Sequence, residues 1–361
     1  QQPKATAMAI AGDTILAIGS AEEMSQFKSD ATKVIDASGR FITPGFIDSH
    51  VHLLMGGNAL LSVELRDANT KKEFIKRIAS YAKTLGSGEW ILEGNWDHTL
   101  WGGELPTKEW IDEYTAENPV VLYRLDGHMV LANSMALSIA GINNKTTNLA
   151  AGEIVRHPDG SPTGILKGSA MTKMLNAIPP MTPPKKKNAI RAATDYLLSN
   201  GVTSVHDVDS LGTYAAARAL YNAGELAIRI YSAKPLNRYD EVGADNPELL
   251  GTVEEKELEK WLKVGMVKGF VDGSLGSHTA AFKDDYSDRA GDSGFFITNE
   301  EELYKWISAT DKKDLQATVH AIGDNAIRTL LDIYERIINE NGKKDRRFRM
   351  EHAQHIDSED I

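Results

Sequence analysis

The sequence predicts an α/β protein whose parallel strands belong to a (β/α)8 TIM barrel, with about six of the barrel strands present in this chain. Three observations carry that expectation. From about residue 185 onward, helical and strand-like segments alternate regularly. Polar residues capable of chemistry stand at the end of one strand after another. No Gly-rich phosphate turn of the GxGxxG or GxxxxGK[ST] kind follows any strand. Strands alternating with helices of about 10–15 residues imply parallel βαβ units. An open doubly wound sheet gathers its chemistry at one switch point, whereas a barrel spreads it over the C-terminal ends of several strands. The distribution here is of the second kind.

The elements follow in order. "AMAIAGDTILAIGS" (Ala7 to Ser20) reads as a hairpin turning at Gly12-Asp13, and Lys33–Ile35 as a further short run. The apolar stretch "FITPGFIDSHVHL" contains the first barrel strand, Phe46–Val51. In "KKEFIKRIASYAKTL" the apolar residues Phe74, Ile75, Ile78, Tyr81, Ala82 and Leu85 recur at 3/4 spacing, the mark of an amphipathic helix. Strand-like pieces at Trp90–Glu93 and Val120–Leu125 flank a Trp-rich loop, and Gly152 to Leu166 forms a second hairpin. Helices are then expected over 185–200, 211–223, 253–263, 300–310 and 325–339. Each leads into a strand: "GVTSVHDV", "AIRIYSA", "GMVKGFVDG", "QATVHAIGD" and "RFRMEHAQ".

Bulk composition narrows the function classes. The chain has 361 residues, enough for one large α/β domain or two ordinary ones. A formal net charge of −11 and a pI near 5.4 argue against a phosphate-binding surface, so nucleic acid is not an expected partner. No apolar run approaches the ~18–20 residues that span a bilayer, so no membrane span is expected. No basic-then-apolar leader is visible either. A cytoplasmic location is the expectation, with an exported form whose leader has been removed left open. The absence of cysteine excludes disulfides, thiolate nucleophiles and Cys-based zinc sites together. Any metal would rest on His, Asp, Glu or a less usual donor.

The strand ends supply such donors. Strand residues i and i+2 face the same side, so His50 and His52 would point together into one space. Alone, the pair is equally compatible with two surface or hydrogen-bonded histidines. Lys268 lies inside an apolar strand, where a bare ammonium costs several kcal/mol. It either pairs with Asp272 or snorkels to the strand end, or it is neutral by burial and carboxylated to a carbamate that bridges two cations. His206-Asp207, His320 and His352 each end a further strand. Together the HxH pair, Lys268, His320 and His352 form one constellation that is hard to reach by accident.

At this point the chain resembles the amidohydrolase superfamily, specifically its amidohydrolase-3 or YtcJ-like branch. The resemblance rests on "PGFIDSHVHL", "GNWDHTLWGGELP", "YRLDGHMVLANS", "GVTSVHDV", "VKGFVDGSLGSHTAAF", "VHAIGDNAI" and "RMEHAQHID", which span most of the chain. It implies a metal-dependent hydrolase barrel, here taken as 41–361 and incomplete at its C-terminal side. It also implies a small β-sandwich to which residues 1–40 belong, and an insertion or lid over 55–185. The implied metal ligands are His50, His52, Lys268 as a CO2-derived carbamate, His320 and His352. The superfamily normally adds an Asp from an eighth strand as ligand and general base; with Ile361 just past the sixth strand, that residue is expected outside this chain. His278 stands where the branch commonly has Arg.

The implied reaction is cleavage of a non-peptide C–N bond of a small amide-type molecule by metal-activated hydroxide. Ligation by N and O without sulfur suits Zn, and also Mn, Fe or Co; one or two ions, with zinc first, are the expectation. Substrate contacts are expected from Trp96, Asp97, Trp101, Asp126 and His128 in the insertion and from Asp272. For the tryptophans, packing within the insertion's own core is the competing account. A homodimer is left open. Two other classes stay in view: an inactive barrel serving as a binding protein, and a deaminase-type metal enzyme, against which Lys268 argues.

Overall fold

The computed structural model describes residues 5–125, 127, 129–147, 152–209, 212–242 and 257–361. The chain divides into two compact units, Gln1–Pro44 and Gly45–Ile361. In the first, β1 (Ala7–Ala11) and β2 (Thr14–Gly19) pair antiparallel around the expected turn, where Gly12 takes φ +60°. The short helix α1 (Ala21–Met24) opens with a capping box in which Ser20 Oγ accepts the Glu23 N–H and the Glu23 carboxylate accepts the Ser20 N–H. Of the small β-sandwich expected here, the structure shows this one hairpin. Lys33–Ile35 is not a strand: it has no ladder partner among the described residues, and Val34 and Ile35 lie exposed.

The second unit begins with β3 (Phe46–Val51), followed by α2 (Leu53–Leu60) and α3 (Lys71–Ala82). Next come β4 (Ile91–Trp96), β5 (Val120–Arg124), β6 (Met129–Ala132), α4 (Ser134–Ile139), β7 (Gly152–Arg156), β8 (Pro162–Gly168) and α5 (Ala170–Leu175). These five strands form a separate sheet in the order β4-β5-β6-β8-β7. Its residues alternate with period two. Val120, Leu122, Leu131 and Ile165 pack with Phe74 and Ile78 of α3, while Val121, Val130, Ala132 and Leu166 pack with α4 and α5. The sheet is thus buried on both faces. Sequence reading missed β6 and α4, whose four and six residues are too short for a periodic signal.

The βα alternation then runs as expected through α6 (Pro183–Ser199), β9 (Val202–Asp207), α7 (Thr213–Asn222), β10 (Arg229–Pro235), β11 (Leu262–Phe270), α8 (Glu300–Lys312), β12 (Gln316–Ala321), α9 (Asp324–Asn341) and β13 (Arg349–His352). The helix expected over 253–263 falls partly outside the described residues, and Leu262 already belongs to β11. All six strands pair in parallel in the order β13-β12-β11-β10-β9-β3, a nearly closed, barrel-like sheet. Its two edge strands are bridged: the Arg349 side chain on β13 donates from Nη2 to the backbone carbonyl of Ser49 on β3 at 2.5 Å.

Helices cover this sheet through apolar stripes. On α9 the buried set Ala326, Ile327, Leu330, Ile333, Tyr334 and Ile337 follows 3/4 spacing. Against α6, α2 approaches so closely that a Cβ on Gly57 would meet Ala189 O at 1.9 Å. That contact seats the helix that starts directly after His52. Among the described residues no helix is long and apolar enough to cross a membrane.

Candidate metal centre

The five candidate ligands are collected at the C-terminal ends of β3, β11, β12 and β13. His50 lies in β3, and His52 follows it as the N-cap of α2; their ring centroids are 5.6 Å apart. The His50 ring is 5.0 Å from that of His352, the last residue of β13, and the His352 ring is 4.6 Å from that of His320 in β12. His352 adopts φ +74° and Ala353 φ +45°, a left-handed pair of non-glycine residues of the kind that concentrates at functional sites. Lys268 stands in β11 beside Thr318 of β12 and is only 6% exposed. Its Nζ lies 4.9 Å from the Phe270 ring and has no hydrogen-bond partner among the described residues.

Hydrogen bonds settle which ring nitrogens are left as electron-pair donors. His320 Nε2 is 2.8 Å from Gly273 O; a carbonyl only accepts, so Nε2 carries the proton and Nδ1 keeps a lone pair. His50 Nδ1 donates to Glu351 Oε2, which leaves Nε2 as its acceptor nitrogen. Glu351 also accepts from Thr318 Oγ1 and pairs with Arg349 at 2.9 Å. Arg349 Nη1 in turn donates to His206 Nδ1 at 2.8 Å.

Burial and a neighbouring charge favour the neutral form of three of the candidate imidazoles. Burial lowers His52, His320 and His352 from the ordinary histidine value, and the neighbouring Lys268 charge works in the same direction; His352 falls to about 4. Burial likewise lowers Lys268 to about 8, against the opposing pull of the Glu351 carboxylate. Burial would raise Glu351, but the hydrogen bonds from Thr318 and His50 and the charge of Arg349 outweigh it and hold it low. Asp207, whose Oδ1 accepts the Leu53 N–H at 3.1 Å, is raised to about 7 by burial.

The donor set fits a divalent cation in kind. It offers imidazoles, two of them with the other ring nitrogen donating to a carboxylate or carbonyl, and a buried amine lacking a partner among the described residues. Histidine ligands ordinarily have such an outer hydrogen bond. The side chains are not already clasped: among the described residues no three His, Asp or Glu side chains stand in metal-holding geometry.

The expected substrate contacts divide. Trp96 is fully buried in the core of the insertion sheet, and its Nε1 donates to Leu122 O at 2.8 Å. Asp272 is also fully buried, its oxygens accepting the backbone N–H groups of Ala281, Ile322 and Gly323 at 2.9, 3.0 and 2.9 Å. Neither presents surface for a substrate to touch, which corrects both expectations: packing claims one and backbone hydrogen bonding the other. Trp101 packs against Phe74 with its Nε1 on Glu104 O, and Asp97 caps the following turn and pairs with Arg124 at 3.2 Å. Asp126 and His128 lie outside the described residues. His278, at φ +55°, places Nε2 3.1 Å from both Asp288 oxygens. Two cavities, of about 380 Å³ between α8 and α9 and about 440 Å³ beside Ile142 and Lys173, contain none of the candidate ligands. The candidate ligands stand instead at the strand ends. Sequence reasoning overlooked Glu351 and Arg349; the alternation Arg349-x-Glu351 within a short strand was the available signal.

Residues 33–361 match the model of the amidohydrolase family. Protein LONG AFTER FAR-RED 3 of Arabidopsis thaliana is 39% identical over 368 residues, covering 98% of this chain and 62% of the relative. YtcJ, a candidate amidohydrolase of Bacillus subtilis, is 29% identical, covering 94% and 64%. The N-substituted formamide deformylase of Arthrobacter pascens is 27% identical, covering 97% and 65%. The chain thus spans less than two thirds of the length of these relatives. An uncharacterized metal-dependent hydrolase from Pyrococcus furiosus superposes with a TM-score of 0.76 at 28% identity, covering 98% of this chain and 69% of that one. The match of the whole second unit to one family, on a fold shared with that hydrolase, establishes that the chain belongs to the amidohydrolase family.

Proposed function

We propose that this chain carries the metal-binding face of a hydrolase that cleaves a non-peptide C–N bond, of amide type, in a small molecule. The observation that carries the reading is Lys268: a buried amine without a hydrogen-bond partner among the described residues, on a strand paired with that of His320, which in turn pairs with that of His352. The apolar surroundings favour the neutral amine, which is the form that adds CO2 to give a carbamate. His50, His52, Lys268, His320 and His352 are the proposed ligands, and zinc the proposed cation, in keeping with donors that include no sulfur.

A divalent cation held there would supply Lewis acidity, polarising a carbonyl and making hydroxide available near neutral pH. The protein's own part is orientation. Glu351 fixes the His50 tautomer by accepting Nδ1–H, and Gly273 O fixes that of His320. Burial keeps the rings from being lost to protonation. Asp97, Trp101, Asp126 and His128 are the proposed substrate contacts. The reading includes a cytoplasmic location and leaves a homodimer open. The family and the named deformylase relative support an amide or formamide substrate.

Elemental analysis of the purified full-length protein, together with turnover of a panel of N-substituted formamides, linear amides and cyclic amides, tests this. Bound metal and hydrolysis of at least one member, both abolished in Lys268→Ala, are expected. A metal-free protein inert on the whole panel would leave the binding-protein alternative standing.

A further inference from the structure

Asp272 lies two residues beyond the end of β11 and is completely buried. The three backbone amides on its oxygens belong to two different segments: Ala281 in the loop after β11, and Ile322 and Gly323 in the turn between β12 and α9. A carboxylate receiving several backbone N–H groups is well satisfied without a cationic partner. Asp272 therefore ties the exit of the strand carrying Lys268 to the exit of the strand carrying His320. The next residue, Gly273, offers the carbonyl that accepts from His320 Nε2 at 2.8 Å, and Asp272 Oδ1 stands 3.5 Å from the same nitrogen. Gly273 is itself held, with its N–H donating to Thr279 O at 3.0 Å. The two segments touch backbone to backbone: a Cβ on Gly323 would meet Ala281 O at 2.0 Å.

We propose that Asp272 is a positioning residue for His320. By fixing the two strand exits against each other, it holds Gly273 O on Nε2–H and leaves Nδ1 as the nitrogen that faces a ligand. The inference rests on the proposed role of His320 in the metal centre.

The test uses the full-length protein and the variant Asp272→Asn, which keeps the volume but turns an NH2 toward an amide that an oxygen used to accept. In wild type, 15N spectra of the metal-free protein are expected to show His320 as a single Nε2–H tautomer, with the signal assigned through His320→Gln. In Asp272→Asn that signature should give way to a tautomer mixture. Zinc affinity by chelator competition should weaken about 10–100-fold, the size of effect known for outer-shell partners. Gly323→Ala offers a second route, because its Cβ displaces the Ile322 and Gly323 amides while the carboxylate stays. If either variant folds and retains both the wild-type tautomer and the wild-type zinc affinity, the proposal is overturned. If wild type binds no metal at all, the metal-centre assignment fails, while the tautomer comparison still decides on Asp272.

Discussion

His50 donates its Nδ1–H to Glu351, so that the two edge strands of the barrel-like sheet are joined by an imidazole–carboxylate pair from residues 301 apart in sequence. Arg349 and Thr318 hold the carboxylate from its other side. This arrangement makes Glu351 the residue that decides which nitrogen of His50 faces a ligand. Glu351→Gln retains an acceptor oxygen but loses the charge that three partners share. Metal affinity should fall about 10–100-fold, and stability by roughly 1–3 kcal/mol as the remaining donors lose their ionic acceptor. Chelator competition and urea unfolding measure the two effects separately; unchanged affinity would show that His50 needs no such partner.

Lys268 yields a prediction of opposite sign for stability. Its value in the folded chain, about 8, lies below the ordinary 10.5, so the unfolded chain binds the extra proton between these limits. Below pH 8 the folded state bears the full cost, about 3 kcal/mol at 1.36 kcal/mol per unit. As pH rises from 8 toward 10.5 that cost disappears. In the metal-free protein, Lys268→Met should therefore be more stable than wild type at pH 7, by an amount that shrinks toward pH 10. The same variant should bind no metal. Urea midpoints across this range check the first claim and elemental analysis the second.

Much of the frame was legible because it is local. Helical 3/4 spacing announced α3, and the strand–helix alternation announced α6, α9 and the six parallel strands. Period-two geometry placed His50 and His52 on one side, and their rings lie 5.6 Å apart. What stayed hidden depends on partners distant in sequence. Glu351 reads as an ordinary strand residue until His50 is brought beside it. The sequence offers Asp272 as a substrate contact; only the fold reveals the three backbone amides that its buried oxygens accept. Trp96 posed the same ambiguity, and the packing of β4 against β5 resolves it.

The histidines give the metal-free protein a distinct acid response. His52, His320 and His352 have folded values below 6.5, with His352 at about 4. At these three positions the unfolded chain binds more protons than the folded one below pH 6.5, so their contribution to stability falls as pH drops from there toward 4, while Asp207, raised to about 7, contributes in the opposite direction. Replacing His352 by Asn removes one of these groups, so the loss of stability over this window should be shallower than in wild type. Denaturant midpoints at half-unit pH steps would show it; parallel curves would mean that His352 is as readily protonated folded as unfolded.

Trp96 separates packing from substrate binding in a single variant. The indole fills the core shared by α3 and the insertion sheet, and its N–H satisfies the Leu122 carbonyl. Trp96→Phe keeps an aromatic ring but leaves a small void and an unpaired buried carbonyl, which together should cost about 1–3 kcal/mol. Since no face of the side chain reaches solvent, KM for any substrate found should stay within about twofold of wild type, a change worth under roughly 0.5 kcal/mol. A lower melting temperature with unchanged KM is the expected pair of results. A raised KM at unchanged stability would instead return Trp96 to the substrate site, and would require the insertion sheet to open during binding.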